Sequence, residues 1–435
     1  MNFSVKTVSH TLRDPSPELD AYLARPAVDP AAEEVAREVI FAVRREGDAA
    51  VARYAKRFDG VDLPPEKFAV GKAERVAALD AAGAEFRQIL SLAIRRISAF
   101  GKAGMRKNWS MSTQRGGMLA EQFTPIGRVG VYVPGGAAPL CSTALMTIVL
   151  AKVAGVPEIA VCTPGKGAAG EVDGHLLAAV EAAGATEVYR IGGIPAIAAM
   201  ACGTKTVRRV FKIAGPGGPF VTAAKRLVYG DVDLDMVAGP SEIAILADEH
   251  ASADFVAADF LSQLEHGSGH ERALLATPSA SLVRAVQKAI DRQAPALSRA
   301  EKIAKAIDGA LFVVTDTLET AVDVVNRFAP EHLEIQANEP HKWLKAIKNA
   351  GAIFLGPWTP EPAGDFAAGP SHVLPTGGTA AFFSGLTVDS FRKRSSVISY
   401  TRADLQESLP IIQTLAAMEG LDAHARSAAI RFDAK

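Results

Sequence analysis

Apolar residues recur at three- and four-residue intervals through AAEEVAREVIFAVRREGDAAVARYAKRF and AERVAALDAAGAEFRQILSLAIRRISAF, with charges between them. That period predicts amphipathic helices up to about residue 104. From about residue 126 the rhythm changes to short β-rich runs: IGRVGVYV, EIAVC, EVYRI, RVFKI, EIAILA, ALLAT, LFVVT, LEIQ and AIFLG. Helical stretches such as STALMTIVLAKVAG, GHLLAAVEAAGA and FVAADFLSQLEH separate most of them. Strand, helix, strand at this spacing predicts parallel sheets with helices on their faces.

Nine strands are many for one open sheet covered on both sides, and Val237-Ala238-Gly239-Pro240 offers a seam. The expected fold is therefore α/β, with two incomplete Rossmann-like, doubly wound sheets and helical N- and C-terminal arms. The expected boundaries are an arm over 1–27, one sheet domain from 28–131 and 243–386, a second over 132–242, and a C-terminal arm over 387–435. After residue 356 the chain is rich in Gly and Pro (GPWTPEPAGDFAAGPSHVLPTGGTA), and a loop of that length in a compact protein is usually functional or a linker.

Composition narrows the function. The 435 residues carry 47 Lys and Arg against 48 Asp and Glu, a net charge of -1 with no charged blocks, which removes the electrostatic footprint of a nucleic-acid or anionic-membrane binder. Aromatics are only 6% of a chain that is 49% hydrophobic, so the core must be built from Ala, Val, Leu and Ile. Cys141, Cys162 and Cys202 are odd in number and widely spaced, which fits a reducing cytoplasm. The polar start MNFSVKTVSHTLRD is not a secretory signal. Val129 to Ala151 lacks charge, but Pro134-Gly135-Gly136 and Pro139 break it into strand, turn and a helix starting near Ser142.

Several motifs could carry chemistry. Gly165-Lys166-Gly167-Ala168-Ala169-Gly170 spells GxGxxG after a strand, yet the helix N-cap is Asp173, beyond the third glycine, so a surface connection is the better reading. Pro134-Gly135-Gly136 and Gly215-Pro216-Gly217-Gly218 each join a strand to a helix, where backbone N–H groups can face an anion or where a tight turn is merely structural. Gln263 and His266 are three apart at a helix end and share a face; His270 is separated from them by Gly267 and Gly269. Glu331-His332 places a carboxylate beside an imidazole at an element boundary, an acid/base arrangement that requires irregular backbone if both groups meet one substrate. Asp365 and His372 stand in the Gly/Pro-rich segment, Glu419 and His424 near the last helix. Cys141 precedes a helix whose N-terminus lowers thiol pKa values, although no histidine is near it in sequence.

Taken together, GRVGVYVPGGAAPLCSTALM, AGPSEIAILAD, SQLEHGSG, FAPEHLEI, AGDFAAGPSHVLPT and EGLDAHARSAAIR, in this order, resemble the histidinol dehydrogenase family from about residue 30 to the end. The resemblance implies one zinc ion per subunit on Gln263, His266, Asp365 and His424, an N/O donor set without thiolate that suits a site left open for substrate. It implies His332 as the base that takes the alcohol proton while hydride passes to NAD, and Glu331 as the group that activates water to attack the bound aldehyde. Substrate contacts would come from Ser241, Gln263, His266, Glu331, His332, Asp365, His372, Glu419 and His424. Glu419 and His424 come from the partner subunit in the family, which implies a homodimer with shared sites, formed through the C-terminal arm, acting on a small amino alcohol.

The sequence departs from the family at two cofactor positions. GGAQAI and GPGNA are common there, whereas this chain has GGIPAI and GPGGP, so Pro195 and Gly218 replace a glutamine and an asparagine associated with NAD, while Tyr132 keeps its place. Each lost side-chain hydrogen bond is worth about 0.5–1.5 kcal/mol. The leading expectation is NAD-linked oxidation of L-histidinol to L-histidine through L-histidinaldehyde in histidine biosynthesis. The rivals are a paralogue that oxidises another primary alcohol, such as a sulfopropanediol, and a catalytically silent zinc- or ligand-binding homologue.

Overall fold

All nine β-rich runs become strands in the computed structural model, which describes residues 1–25, 30–135, 139–236 and 239–433. The proposed seam residues Val237 and Ala238, and Gly136 of the first glycine turn, lie outside the described residues. Six parallel strands form one sheet in the order Lys6–His10, Ala310–Thr315, Arg272–Thr277, Glu242–Ala247, His332–Gln336, Ala352–Leu355. Five parallel strands form another, Glu187–Tyr189, Glu158–Cys162, Arg128–Tyr132, Lys212–Ala214, Asp233–Leu234. Every residue of Glu242–Ala247 is buried, which explains why such strands read as unbroken apolar runs rather than alternating ones.

Two compact units partition the chain: Met1–Gly104 with Gly127–Phe391, and Met105–Ile126 with the segment from Arg392 onward. The first holds both parallel sheets. In it the helix Pro30–Glu46 packs on the helices Gly193–Cys202 and Pro219–Val228 that follow strands of the five-stranded sheet, and Asp48–Asp59 packs on Gly193–Cys202. Their apolar stripe, Ala32, Ala36, Val39, Val43 and Tyr54, shares one core with Ile197 and Ala223. This corrects the grouping of these helices with the 243–386 segment, because amphipathic periodicity shows that a face is buried but not which layer receives it. Lys6–His10, expected in an arm, is an edge strand with Val8 and His10 turned inward.

The second unit contains a three-stranded antiparallel sheet, Arg392–Ser399, Met118–Pro125, Trp109–Ser112, followed by the helices Arg402–Met418 and Asp422–Ala429. The segment 387–435, expected as a helical arm, holds these helices and also a strand that was not expected: Arg392–Ser399 is RKRSSVIS, largely exposed and polar, and gives no alternating signal. Among the described residues no helix is long and apolar enough to cross a membrane.

Candidate active site

The helix Ala253–Leu264 follows the strand Glu242–Ala247 and must return along the sheet before the next parallel strand starts, which carries its C-terminal Gln263 back to the strands' amino ends. Leu318–Phe328 returns likewise and delivers Glu331 and His332 to the same edge. Glu331 and His332 therefore lie at the amino ends of the six-stranded sheet, whereas the glycine turns after Tyr132 and Ala214 follow carboxyl ends of the five-stranded sheet.

The irregular backbone required by Glu331-His332 is present. Ala329 caps the preceding helix with φ 45, Pro330 follows, and the strand begins only at His332, so Glu331 lies outside the pleat. Its Oε2 stands 3.7 Å from His332 Nδ1 and accepts from the Glu242 backbone N–H at 3.0 Å. His332 Nδ1 faces two acceptors, the Glu242 carbonyl at 3.2 Å and Gln263 Oε1 at 3.1 Å. With the amide oriented as this network requires, two oxygens assign the ring proton to Nδ1 and leave Nε2 with a lone pair. Among the described residues Nε2 makes no hydrogen bond; Asp365 Oδ1 is 3.7 Å away and Glu361 Oε1 3.9 Å.

Burial pushes the Glu331 carboxyl up to about 8 against the pull of His332. Burial opposes the charge on His332, but Glu331 first, then Asp365 and Glu361, raise it to about 10. Glu361 is raised to about 8 by burial, while Asp365, though buried, is brought down to about 2 by His332 and His372. The His372 imidazole is lowered by burial.

The Gly/Pro-rich segment expected as loop holds a short helix, Glu361–Ala363, and a π-helical turn, Gly364–Ala368, the kind of distortion often found at functional sites. A Cβ on Gly364 would stand 2.6 Å from the Phe354 ring, so glycine lets the turn carry Asp365 in against the sheet. His372 follows, with Nδ1 3.8 Å from Asp365 Oδ1 and Nε2 3.3 Å from Thr143 Oγ1. His332, Glu361 and Asp365 offer ligand atoms within 4.8 Å of one another. His332 Nε2, Glu361 Oε1 and His372 Nδ1, without hydrogen-bond partners among the described residues, and the Gln263 amide alongside make this a buried N/O-donor set compatible with a divalent cation. His266 is exposed, and its Nδ1 lies 3.0 Å from the Gln263 backbone carbonyl, so that Nε2 is the ring nitrogen open to a further contact.

Sequence reasoning missed Glu361, Glu242 and Thr143. Glu361 and Asp365 are four apart, the spacing of neighbours on one helical face, but the surrounding Gly and Pro hid the helix. Ser241 immediately precedes Glu242. Glu419 and His424 are exposed in the second unit, at the end of Arg402–Met418 and in Asp422–Ala429. Tyr132 is buried and its hydroxyl accepts from the Gly193 N–H at 3.0 Å. Pro195 sits in the first turn of Gly193–Cys202, where its missing N–H has no helical partner to lose. Gly218 is the exposed N-cap of Pro219–Val228, and a Cβ there would meet nothing within 4 Å. Burial pushes the Cys141 thiol up to about 11, against the lowering expected at a helix N-terminus. The GxGxxG segment is a surface turn closed by a Lys166–Glu171 bridge ahead of the Asp173 N-cap.

A family model described as histidinol dehydrogenase matches residues 24–432. The chain belongs to the histidinol dehydrogenase family. It is an oxidoreductase of that family and is 49% identical over 397 residues to a histidinol dehydrogenase of Moorella thermoacetica, covering 91% of this chain and 93% of the relative. It is 45% identical to that of Heliobacterium mobile, covering 96% and 98%. The crystal structure of histidinol dehydrogenase from Elizabethkingia anophelis superposes with a TM-score of 0.92 at 33% identity, over 99% of this chain and 98% of that one.

Proposed function

We propose that the protein oxidises L-histidinol to L-histidine through bound L-histidinaldehyde, the last two steps of histidine biosynthesis: R–CH2OH + 2 NAD+ + H2O → R–COO⁻ + 2 NADH + 3 H+. The observation that carries this reading is the set of contacts around His332, with Nδ1 against the Glu242 carbonyl and the Gln263 amide and Nε2 turned to Asp365 and Glu361 without a hydrogen bond. His332 Nε2 takes the hydroxyl proton as the carbinol hydride leaves for NAD. Glu331 then removes a proton from water adding to the aldehyde, and loss of the second hydride from the hydrate yields the carboxylate.

A zinc ion on Gln263, His266 and Asp365, with His424 of the partner subunit, would grip the amino alcohol by its nitrogens and orient the carbinol carbon. Glu331 first, then Asp365 and Glu361, hold the His332 imidazole high, and a cation held by Asp365 would remove the Asp365 share of that pull. Ser241, His372 and Glu419 of the partner subunit complete the substrate contacts in a homodimer with shared sites. NAD lies against Tyr132, Pro195 and Gly218, and the enzyme works in the cytoplasm, in keeping with three free cysteines.

The test is stoichiometric. Metal-replete protein with excess NAD should form two NADH per L-histidinol consumed. Turnover of a sulfopropanediol with none of histidinol would overturn the substrate, and no NADH from either would overturn the enzyme.

A further inference from the structure

Arg25 takes no part in the chemistry above, yet its side chain is only 6% exposed. Its Nη1 donates to the Glu242 carboxylate and its Nη2 to the Phe328 carbonyl, while the guanidinium lies 4.3 Å from the Phe328 ring centroid. Both contacts lead to the acid/base pair. Glu242 donates its N–H to Glu331 Oε2 at 3.0 Å and accepts from His332 Nδ1 through its carbonyl at 3.2 Å. Phe328 opens the Phe328-Ala329-Pro330 turn, whose left-handed Ala329 ends the helix and sets the path of the chain into Glu331. One planar cation thus ties together the two backbone segments that hold both groups.

The anchor for Arg25 is itself fixed. Tyr22 stacks on Phe328 at 5.8 Å between centroids, donates its hydroxyl to the Gly309 carbonyl at 2.9 Å, and lies under the Arg272 guanidinium at 4.8 Å. The helix Pro17–Leu23 therefore presents Arg25 from a pinned position. A lysine supplies the charge but not a rigid fork able to serve a carboxylate and a carbonyl at once.

We infer that Arg25 is a positioning residue for the acid/base pair, acting through Glu242 and Phe328 on Glu331 and His332. The inference rests on the reading of Glu331 and His332 as that pair.

The test compares Arg25→Ala, Arg25→Lys and Glu242→Gln with His332→Asn, using zinc-loaded dimer, L-histidinol and carbinol-deuterated L-histidinol. For Arg25→Ala, kcat per folded subunit should fall about 10- to 100-fold, the scale for a misplaced catalytic group, with KM within about threefold. The deuterium effect on kcat should rise, because the chemical step becomes slow. Added guanidinium should restore kcat, and Arg25→Lys should recover only part of it. If Arg25→Ala does not fold, Arg25→Lys and Glu242→Gln decide on the same readouts. Wild-type kcat and isotope effect in folded Arg25 variants, alongside an inactive His332→Asn, would overturn the role of Arg25 alone. A fully active His332→Asn would overturn the acid/base reading beneath it.

Discussion

The Gln263 amide oxygen and His332 Nδ1 lie 3.1 Å apart, both buried, one from the end of a returning helix and the other from the first residue of a strand. Because that contact commits Nδ1 as donor, the opposite ring nitrogen carries the basicity. His332→Asn should therefore slow histidinol oxidation by about 10²- to 10⁴-fold, the usual range for a lost general base. Rapid-mixing measurement of the first NADH with histidinol, compared with histidinaldehyde as substrate, checks this; the aldehyde step, which leans on Glu331 for water activation, should suffer less.

The same pair sets a pH dependence. Glu331 is raised from 4.5 to about 8 and His332 from 6.5 to about 10, so both bind protons more tightly folded than unfolded. Stability contributed by such groups is full below the unfolded value and is lost as pH rises through the folded one. Glu361, raised to about 8, has the same sign, and Asp365, lowered to about 2, acts only in the acid. Chelator-treated protein should thus lose thermal stability steadily between about pH 5 and pH 10, and Glu331→Gln should flatten the part below about pH 8. A melting temperature that climbs across this window in calorimetry would contradict the arrangement.

Metal removal separates two carboxylates. Asp365→Asn should weaken zinc binding by at least about tenfold, whereas Glu361→Gln, outside the set implied by the family, should retain it. Competition with a chromogenic chelator measures both. Equal losses would make Glu361 a ligand, as its place within 4.8 Å of His332 and Asp365 permits.

Gly218 has φ -67 and open space where a Cβ would stand. Gly218→Asn should fold normally, change stability by only a few tenths of a kcal/mol as one N-cap residue replaces another, and lower the KM for NAD by about 2- to 10-fold, the worth of one hydrogen bond. Initial-rate kinetics with varied NAD decide it.

A Cβ on Gly351 would lie 2.6 Å from the Glu331 carbonyl oxygen and 3.2 Å from Pro375. Gly351→Ala should cost about 1–3 kcal/mol in denaturant unfolding, as overpacking does. It should also lower kcat, because the displaced backbone carries Glu331.

The strands were legible wherever burial on both faces made an apolar run, as in EIAILA, and illegible where Arg392–Ser399 and Trp109–Ser112 face outward. Glu331, His332 and Asp365, which the six motifs single out, are brought together, with His332 3.7 Å from its sequence neighbour Glu331 and 3.7 Å from the facing Asp365. Glu242 was not legible, because its role is played by its backbone N–H and carbonyl, which any residue possesses. Glu361 was masked by Pro360 and Pro362, which read as loop but stand at the start of a one-turn helix. The packing of Pro30–Glu46 on the five-stranded sheet depended on tertiary context that periodicity does not encode.

The antiparallel sheet joins Met118–Pro125 to Arg392–Ser399, segments with nearly the whole catalytic chain between them. During synthesis the first of these leaves the ribosome without its neighbour, and at about 5–20 residues per second it waits on the order of 10–50 s for the second. Throughout that interval Met118–Pro125 has one unclaimed edge. A nascent chain stalled before residue 392 would therefore offer a sticky strand to other chains, which makes the arrival of Arg392–Ser399 a timer on when that edge becomes safe from aggregation.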